Sequence, residues 1–155
     1  IATLGKAFGV NGGYVVGDQT IIDYLRETSP FYVYSNPITP GEAAAATAAL
    51  DIVEGPEGAR LLAHLRAMTA RFREGLGSLG FETLAGDHPV VPLMVRNTER
   101  TSKLVQHLRD ADILATGLNY PVVPQGEEEI RFQISAGHTA ADIDQVIAAL
   151  AAYAD

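Results

Sequence analysis

Few residues in this chain could do chemistry, and they are unevenly placed. Of 11 cations only two are lysines, Lys6 and Lys103. Lys103 sits among polar residues of a helical pattern. Lys6 sits in Gly5-Lys6-Ala7-Phe8-Gly9, where solubility gives no reason for a cation. An amine desolvated in a glycine-rich loop has its charged form disfavoured, which frees the lone pair. A Schiff-base lysine needs that state. Gly5 and Ala7 leave room for a planar ring to approach the backbone, and Thr3 could offer its hydroxyl to a phosphate. The competing reading is a surface loop with a solvated lysine. Arg131 is the second candidate. It alternates with Ile130, Phe132 and Ile134, so it falls on the opposite face of a strand. A guanidinium held there can grip a carboxylate through two parallel hydrogen bonds. The competing reading is an ion pair with Glu128 or Glu129, or with a neighbouring helix.

Other chemistries fail on the residues present. Gly5-Lys6 resembles the end of a nucleotide P-loop, but Ala7 stands where Ser or Thr must meet magnesium, and the upstream glycine is missing. The histidines His64, His88, His107 and His138 do not pair at metal-ligand spacing, and no Cys assists them. His138 precedes a helix cap, so a local structural role is expected there. A net charge of −8 with no basic stripe argues against nucleic acid. No apolar run is long enough to span a bilayer. Zero cysteines excludes a disulfide framework and fits a reducing compartment, so the expected location is the cytoplasm. The first residue is Ile1, with no visible targeting segment before it.

The elements that must position Lys6 and Arg131 follow from the patterning. Residues 1–13 form a loop of small residues, and Tyr14-Val15-Val16 reads as a buried strand with no obvious partner nearby. A helix covers about 19–28 and stops at Ser29-Pro30. Phe31 to Asn36 reads as extended. Thr39-Pro40-Gly41-Glu42 is a capping box with proline at the first helical position, launching an Ala-rich helix to about 54. Pro56 starts another helix, to about Gly80. Val90 to Val95 is a strand that Pro92 confines to an edge or a bulge. Asn97 caps a helix to about Asp110. Ile113 to Thr116 is a further strand, Tyr120 to Pro124 a stiff extended loop, and Glu129 to Ile134 a strand. Thr139 with Asp142 caps the last helix, to about Tyr153. With 155 residues, 47% of them hydrophobic, the chain can bury a core, and its element pattern is α+β or α/β.

Four segments in order then resemble one family. They are Thr3-Leu4-Gly5-Lys6-Ala7-Phe8-Gly9 with Gly12-Gly13-Tyr14; Tyr34-Ser35-Asn36; Thr116-Gly117 with Tyr120-Pro121-Val122-Val123-Pro124; and Ile130-Arg131 with Gln133, Ser135-Ala136 and His138-Thr139. The chain resembles the α-oxoamine synthases, pyridoxal-phosphate enzymes of the aspartate aminotransferase fold (fold type I), and within them the glycine C-acetyltransferase branch. The resemblance implies an α/β fold of which this chain is the carboxyl-terminal part. Residues 1–36 would end the large cofactor-binding domain, 37–80 would be connecting helices, and 81–155 an α+β small domain of three short strands with flanking helices. Lys6 would be the Schiff-base lysine and the base for the α-proton. Thr3 would bind the cofactor phosphate. Tyr34 and Ser35 would reach the cofactor of a neighbouring subunit, in a homodimer with shared sites. Arg131 would hold the amino-acid carboxylate. The implied reaction condenses glycine with acetyl-CoA to 2-amino-3-oxobutyrate and CoA.

The same residues would also serve an 8-amino-7-oxononanoate synthase or a class I/II aminotransferase. Two departures qualify the resemblance. Phe8-Gly9-Val10-Asn11 differs from the acetyltransferase loop, which bears on the acyl donor. The family's ring-nitrogen aspartate and its ring-stacking residue precede the lysine, and this chain has only five residues there. A third expectation is therefore an isolated, inactive piece lacking the cofactor-binding half.

Overall fold

A computed structural model describes residues 1–153 and resolves two compact units, Ile1–Ala59 and the residues from Arg60 onward. Each has its own architecture.

The first unit begins with a two-stranded antiparallel hairpin, β1 (Ala2–Thr3) and β2 (Gly13–Tyr14), with Ala2 opposite Tyr14 and Thr3 opposite Gly13. The expected strand at residues 14–16 is thus shorter, starts one residue earlier and is not buried. Tyr14 and Val16 are exposed. Its partner is the residue pair just before Leu4, too short a run to show any period in sequence. Helix α1 (Gln19–Thr28) follows, and then α2 (Pro30–Tyr34). The extended reading of residues 31–36 is corrected over 31–34 by α2, while Ser35 is extended. Aromatic residues favour strands because they pack on a pleated, half-buried surface, and no such surface is offered here. Pro30 at the first helical position has its φ already set for a helix, and the Tyr32 and Val33 amides both donate to the Ser29 carbonyl. Helix α3 (Pro40–Glu54) carries the expected cap: Thr39 accepts from the Glu42 amide and Glu42 accepts from the Thr39 amide.

The second unit is built on α4 (Pro56–Ser78), which starts just before it, followed by β3 (Val90–Met94), α5 (Thr98–Asp110), β4 (Thr116–Leu118), β5 (Glu129–Gln133) and α6 (Ala140–Ala151). The sheet is antiparallel in the order β3-β5-β4, three short strands with flanking helices as expected. β3 is an edge strand. The Met94 amide points outward to the Glu82 carbonyl, so Pro92, two residues earlier, turns its missing donor the same way and breaks no bond to β5. The expected strand at 113–116 lies three residues later: Ile113 donates back to Leu108 as α5 closes, which keeps it out of the ladder. Residues 120–124 are a turn with a cis Tyr120–Pro121 bond, closed by the Val122 amide on Asn119, and not an extended loop.

One sheet face meets the helices. Val91 and Leu93 of β3 and Ile130 and Phe132 of β5 bury against Phe72 and Leu76 of α4, Leu104 and Leu108 of α5, and Ile143 and Leu150 of α6. Phe72 and Phe132 meet edge to face at 4.9 Å. The opposite face carries Pro92, Arg131 and Thr116 side by side, in register across three strands. Leu108 is fully buried, so Leu108→Ala leaves a cavity in this core. We expect a loss of about 2–5 kcal/mol, read from the urea unfolding midpoint.

Candidate active site

The Lys6 loop is a nine-residue connection whose backbone is stitched to itself. Leu4 donates to the Gly12 carbonyl at 2.9 Å, Val10 to Leu4 at 3.2 Å, and Gly9 to Lys6 at 3.1 Å. Thr3 Oγ1 accepts from the Gly5 amide at 3.2 Å and donates to the Gly12 carbonyl at 3.3 Å. Leu4 is buried and anchors the loop, while Asn11 Nδ2 ties it to Glu42 Oε1 of α3 at 2.7 Å. Lys6 sits at the start of the turn closed by Gly9 and is exposed. Within this chain the loop's hydrogen bonds order its backbone but lay nothing over the side chain. A cavity of about 330 Å³ opens against the loop, lined by Gly5, Gly9, Val10, Asn11 and Glu42. An accessible amine and a hydroxyl on one ordered loop are a donor set that fits an aldehyde bearing a phosphate.

The other candidates divide between the units. Tyr34 and Ser35 end α2 in the first unit. The Tyr34 ring is almost wholly exposed, and Ser35 Oγ turns back to donate to the Phe31 carbonyl. Arg131 lies in the second unit on the open face of β5. It lines a cavity of about 440 Å³ with Arg73, Leu84, His88, Pro92 and Glu129. Arg73 donates to the carbonyls of Leu84 and His88 and so fixes the loop that forms one wall. His88 Nδ1 accepts from the Val90 amide, which places its proton on Nε2. Two guanidiniums against one carboxylate leave the cavity net positive, which favours an anion.

Arg131 does have the ion pair that sequence offered as the competing reading, and the partner is Glu129. Both Nε at 3.2 Å and Nη2 at 2.9 Å donate to Glu129 Oε1. Glu128 faces elsewhere: it accepts from Thr98 Oγ1 and the Gly126 amide, and its carbonyl takes the Val95 and Arg96 amides. The signal for Glu129 was present, since residues two apart on a strand share a face. The wall residues Arg73 and His88 gave no such signal, because no sequence pattern links α4 and its following loop to β5. His138 has the structural role expected of it: its Nδ1 accepts from the Ser135 amide, and its carbonyl bonds His64 Nε2. Among the described residues no group of acidic or histidine side chains could hold a metal ion. No described helix is long and apolar enough to cross a membrane.

Residues 1–150 match the model for aminotransferase class I and II. The chain belongs to that family. It is 40% identical over 151 residues to 8-amino-7-oxononanoate synthase of Marinobacter nauticus, covering 97% of this chain and 38% of that protein. It is 36% identical over 149 residues to the mitochondrial 2-amino-3-ketobutyrate coenzyme A ligase of Mus musculus, covering 96% of this chain and 35% of that protein. A solved structure of SPT with PLP internal aldimine superposes with a TM-score of 0.88 at 24% identity, over 97% of this chain and 38% of that one. This bears out the fold-type I architecture expected from the four segments. The chain spans less than two-fifths of the length of these relatives.

A Cβ at Gly13 would stand 2.6 Å from the Ala2 carbonyl oxygen, whereas one at Gly17 would meet nothing within 4 Å. Hydrogen exchange should therefore show the Leu4 and Val10 amides deprotected in Gly13→Ala and unchanged in Gly17→Ala. The second prediction concerns acid. Hydrogen bonds from its own backbone amide, from Thr98 and from Gly126 hold the Glu128 carboxyl below its ordinary value of 4.5. A depressed native pKa gives stability that is complete above the unfolded value and lost as pH falls through the native one. Between about pH 5 and pH 3 the melting temperature of Glu128→Gln should fall less steeply than that of the parent protein.

Proposed function

We propose that this chain is the lysine-bearing, carboxyl-terminal portion of a pyridoxal-phosphate-dependent acyltransferase that joins an amino acid to an acyl-CoA. The observation that carries this reading is the family match over residues 1–150, which includes the ordered loop holding Thr3 and Lys6. Pyridoxal phosphate, when bound, supplies an electron sink for negative charge at the amino acid's Cα. In this reading Lys6 Nζ would hold the cofactor, and once the amino acid's amine has displaced it, the freed Lys6 amine would take the proton from Cα. The Thr3 hydroxyl, bonded to the Gly12 carbonyl in this chain, would hold the cofactor phosphate. Arg131 grips the substrate carboxylate with its guanidinium. Cα then forms a bond to the thioester carbonyl carbon, the carbon–sulfur bond breaks, and CoA leaves as its thiol, taking up the proton that Lys6 removed from Cα. Tyr34 and Ser35 project from an exposed aromatic helix, and in this reading they complete the site of a second subunit in a cytoplasmic homodimer.

The finer assignment is condensation of glycine with acetyl-CoA to 2-amino-3-oxobutyrate. The 8-amino-7-oxononanoate reading stands beside it on the Marinobacter nauticus relative. That product's nine-carbon skeleton requires a seven-carbon dicarboxylic acyl group and alanine in place of glycine, with the alanine carboxylate leaving as carbon dioxide. CoA release by the full-length protein, measured with acetyl- and longer acyl-CoAs against glycine, alanine and serine, separates the two. No release with any pair would end the acyltransferase reading. Borohydride reduction with pyridoxal phosphate should leave an adduct on Lys6. An adduct elsewhere, or none, removes Lys6 from its role whatever the activity.

A further inference from the structure

The Arg131 side chain is half exposed, while the Glu129 side chain beside it is only 11% exposed. Glu129 is therefore fixed by its strand, and Arg131 is the long, flexible member of the pair. Both bonds from Arg131 go to the same oxygen, Glu129 Oε1, and they use Nε and one N–H of Nη2. A guanidinium has five N–H groups in a planar fork. Occupying the Nε edge sets the plane and leaves the Nη1/Nη2 edge available for a bidentate carboxylate. Arg131 has cross-strand neighbours Pro92 and Thr116, and neither brings a charge to compete. The other polar side chains with a ring or guanidinium facing this cavity are Arg73, committed to the Leu84 and His88 carbonyls, and His88, whose Nδ1 is committed to the Val90 amide.

From this geometry we propose that Glu129 is a positioning residue: it holds the Arg131 guanidinium in the orientation in which its outer edge receives the amino-acid carboxylate. This rests on the reading of Arg131 given above. Glu129 touches no reacting atom. Its effect is to remove the rotamer freedom that Arg131 would otherwise lose on binding.

The test uses the full-length protein and follows the amino acid and the acyl-CoA separately, with calorimetric binding of glycine and alanine as a second readout. Glu129→Ala should raise the amino-acid KM and Kd about tenfold, the loss expected for charge-assisted hydrogen bonds, with the acyl-CoA KM and kcat little changed. Glu129→Gln keeps the Oε1 acceptor and should fall between the parent and Glu129→Ala. An amino-acid KM that is unchanged or lower in Glu129→Ala overturns the proposal, because Glu129 would then be idle or a competitor for Arg131. A shared loss in kcat and both KM values, tracking a fall in melting temperature, overturns it as well, because Glu129 would then only support the fold. Arg131→Ala distinguishes the layers. If it leaves amino-acid affinity intact, the carboxylate assignment itself fails and the role of Glu129 falls with it. If affinity is lost there but not in Glu129→Ala, only the positioning role fails.

Discussion

Strand β5 is hydrogen-bonded along both edges, to β3 and to β4, and this fixes the second unit. A strand held on both sides cannot rotate or slip without turning every side chain to the wrong face. Ile130 and Phe132 therefore point into the helical layer, and Arg131 between them points away. The core is bound to the same constraint. Phe132 meets Phe72 from α4, and Ile130 is fully buried, so the residues that stabilise the sheet also set the direction in which the guanidinium leaves it. The charged pair lies outside the core but inherits its rigidity, since Glu129 and Arg131 are carried by the strand the core holds most firmly.

The first unit rests on a different principle. Leu4 is its one buried hydrophobic side chain among the described residues, and large apolar side chains such as Phe31, Tyr34 and Val16 lie exposed. Its order is local. It comes from the Thr39–Glu42 capping box, from Pro30 at the start of α2, and from the backbone bonds across the Lys6 loop. Local order and a bare outer surface together explain how Lys6 can sit on a well-defined loop and still be open to solvent.

The sequence was readable where the physics is short-range. Both Thr capping boxes, the Asn97 cap and the proline starts of α3 and α4 depend on contacts within a few residues, and each is present. The alternation of β5 was equally plain, because a two-residue period needs no partner to be seen. Misreadings arose where a local preference met a tertiary condition. Phe31 to Tyr34 has aromatic strand character without a sheet to join. Ile113 to Ala115 has apolar character, but the Ile113 amide bonds back to the end of α5, and β4 begins at Thr116.

By itself, the sequence determined the family, the helices and their caps, the inward face of β5 and the identity of Lys6 and Arg131 as the residues to watch. Those depend on residue type and on spacing within one element. Only the tertiary structure decided that the Lys6 amine is exposed, that Arg131 pairs with Glu129 while Glu128 turns to Thr98 and Gly126, and that Arg73 and His88 wall the same cavity. Burial, partner choice and cavity shape are set by which distant segments meet, and no spacing along a single chain encodes that meeting in a form that can be read without folding it.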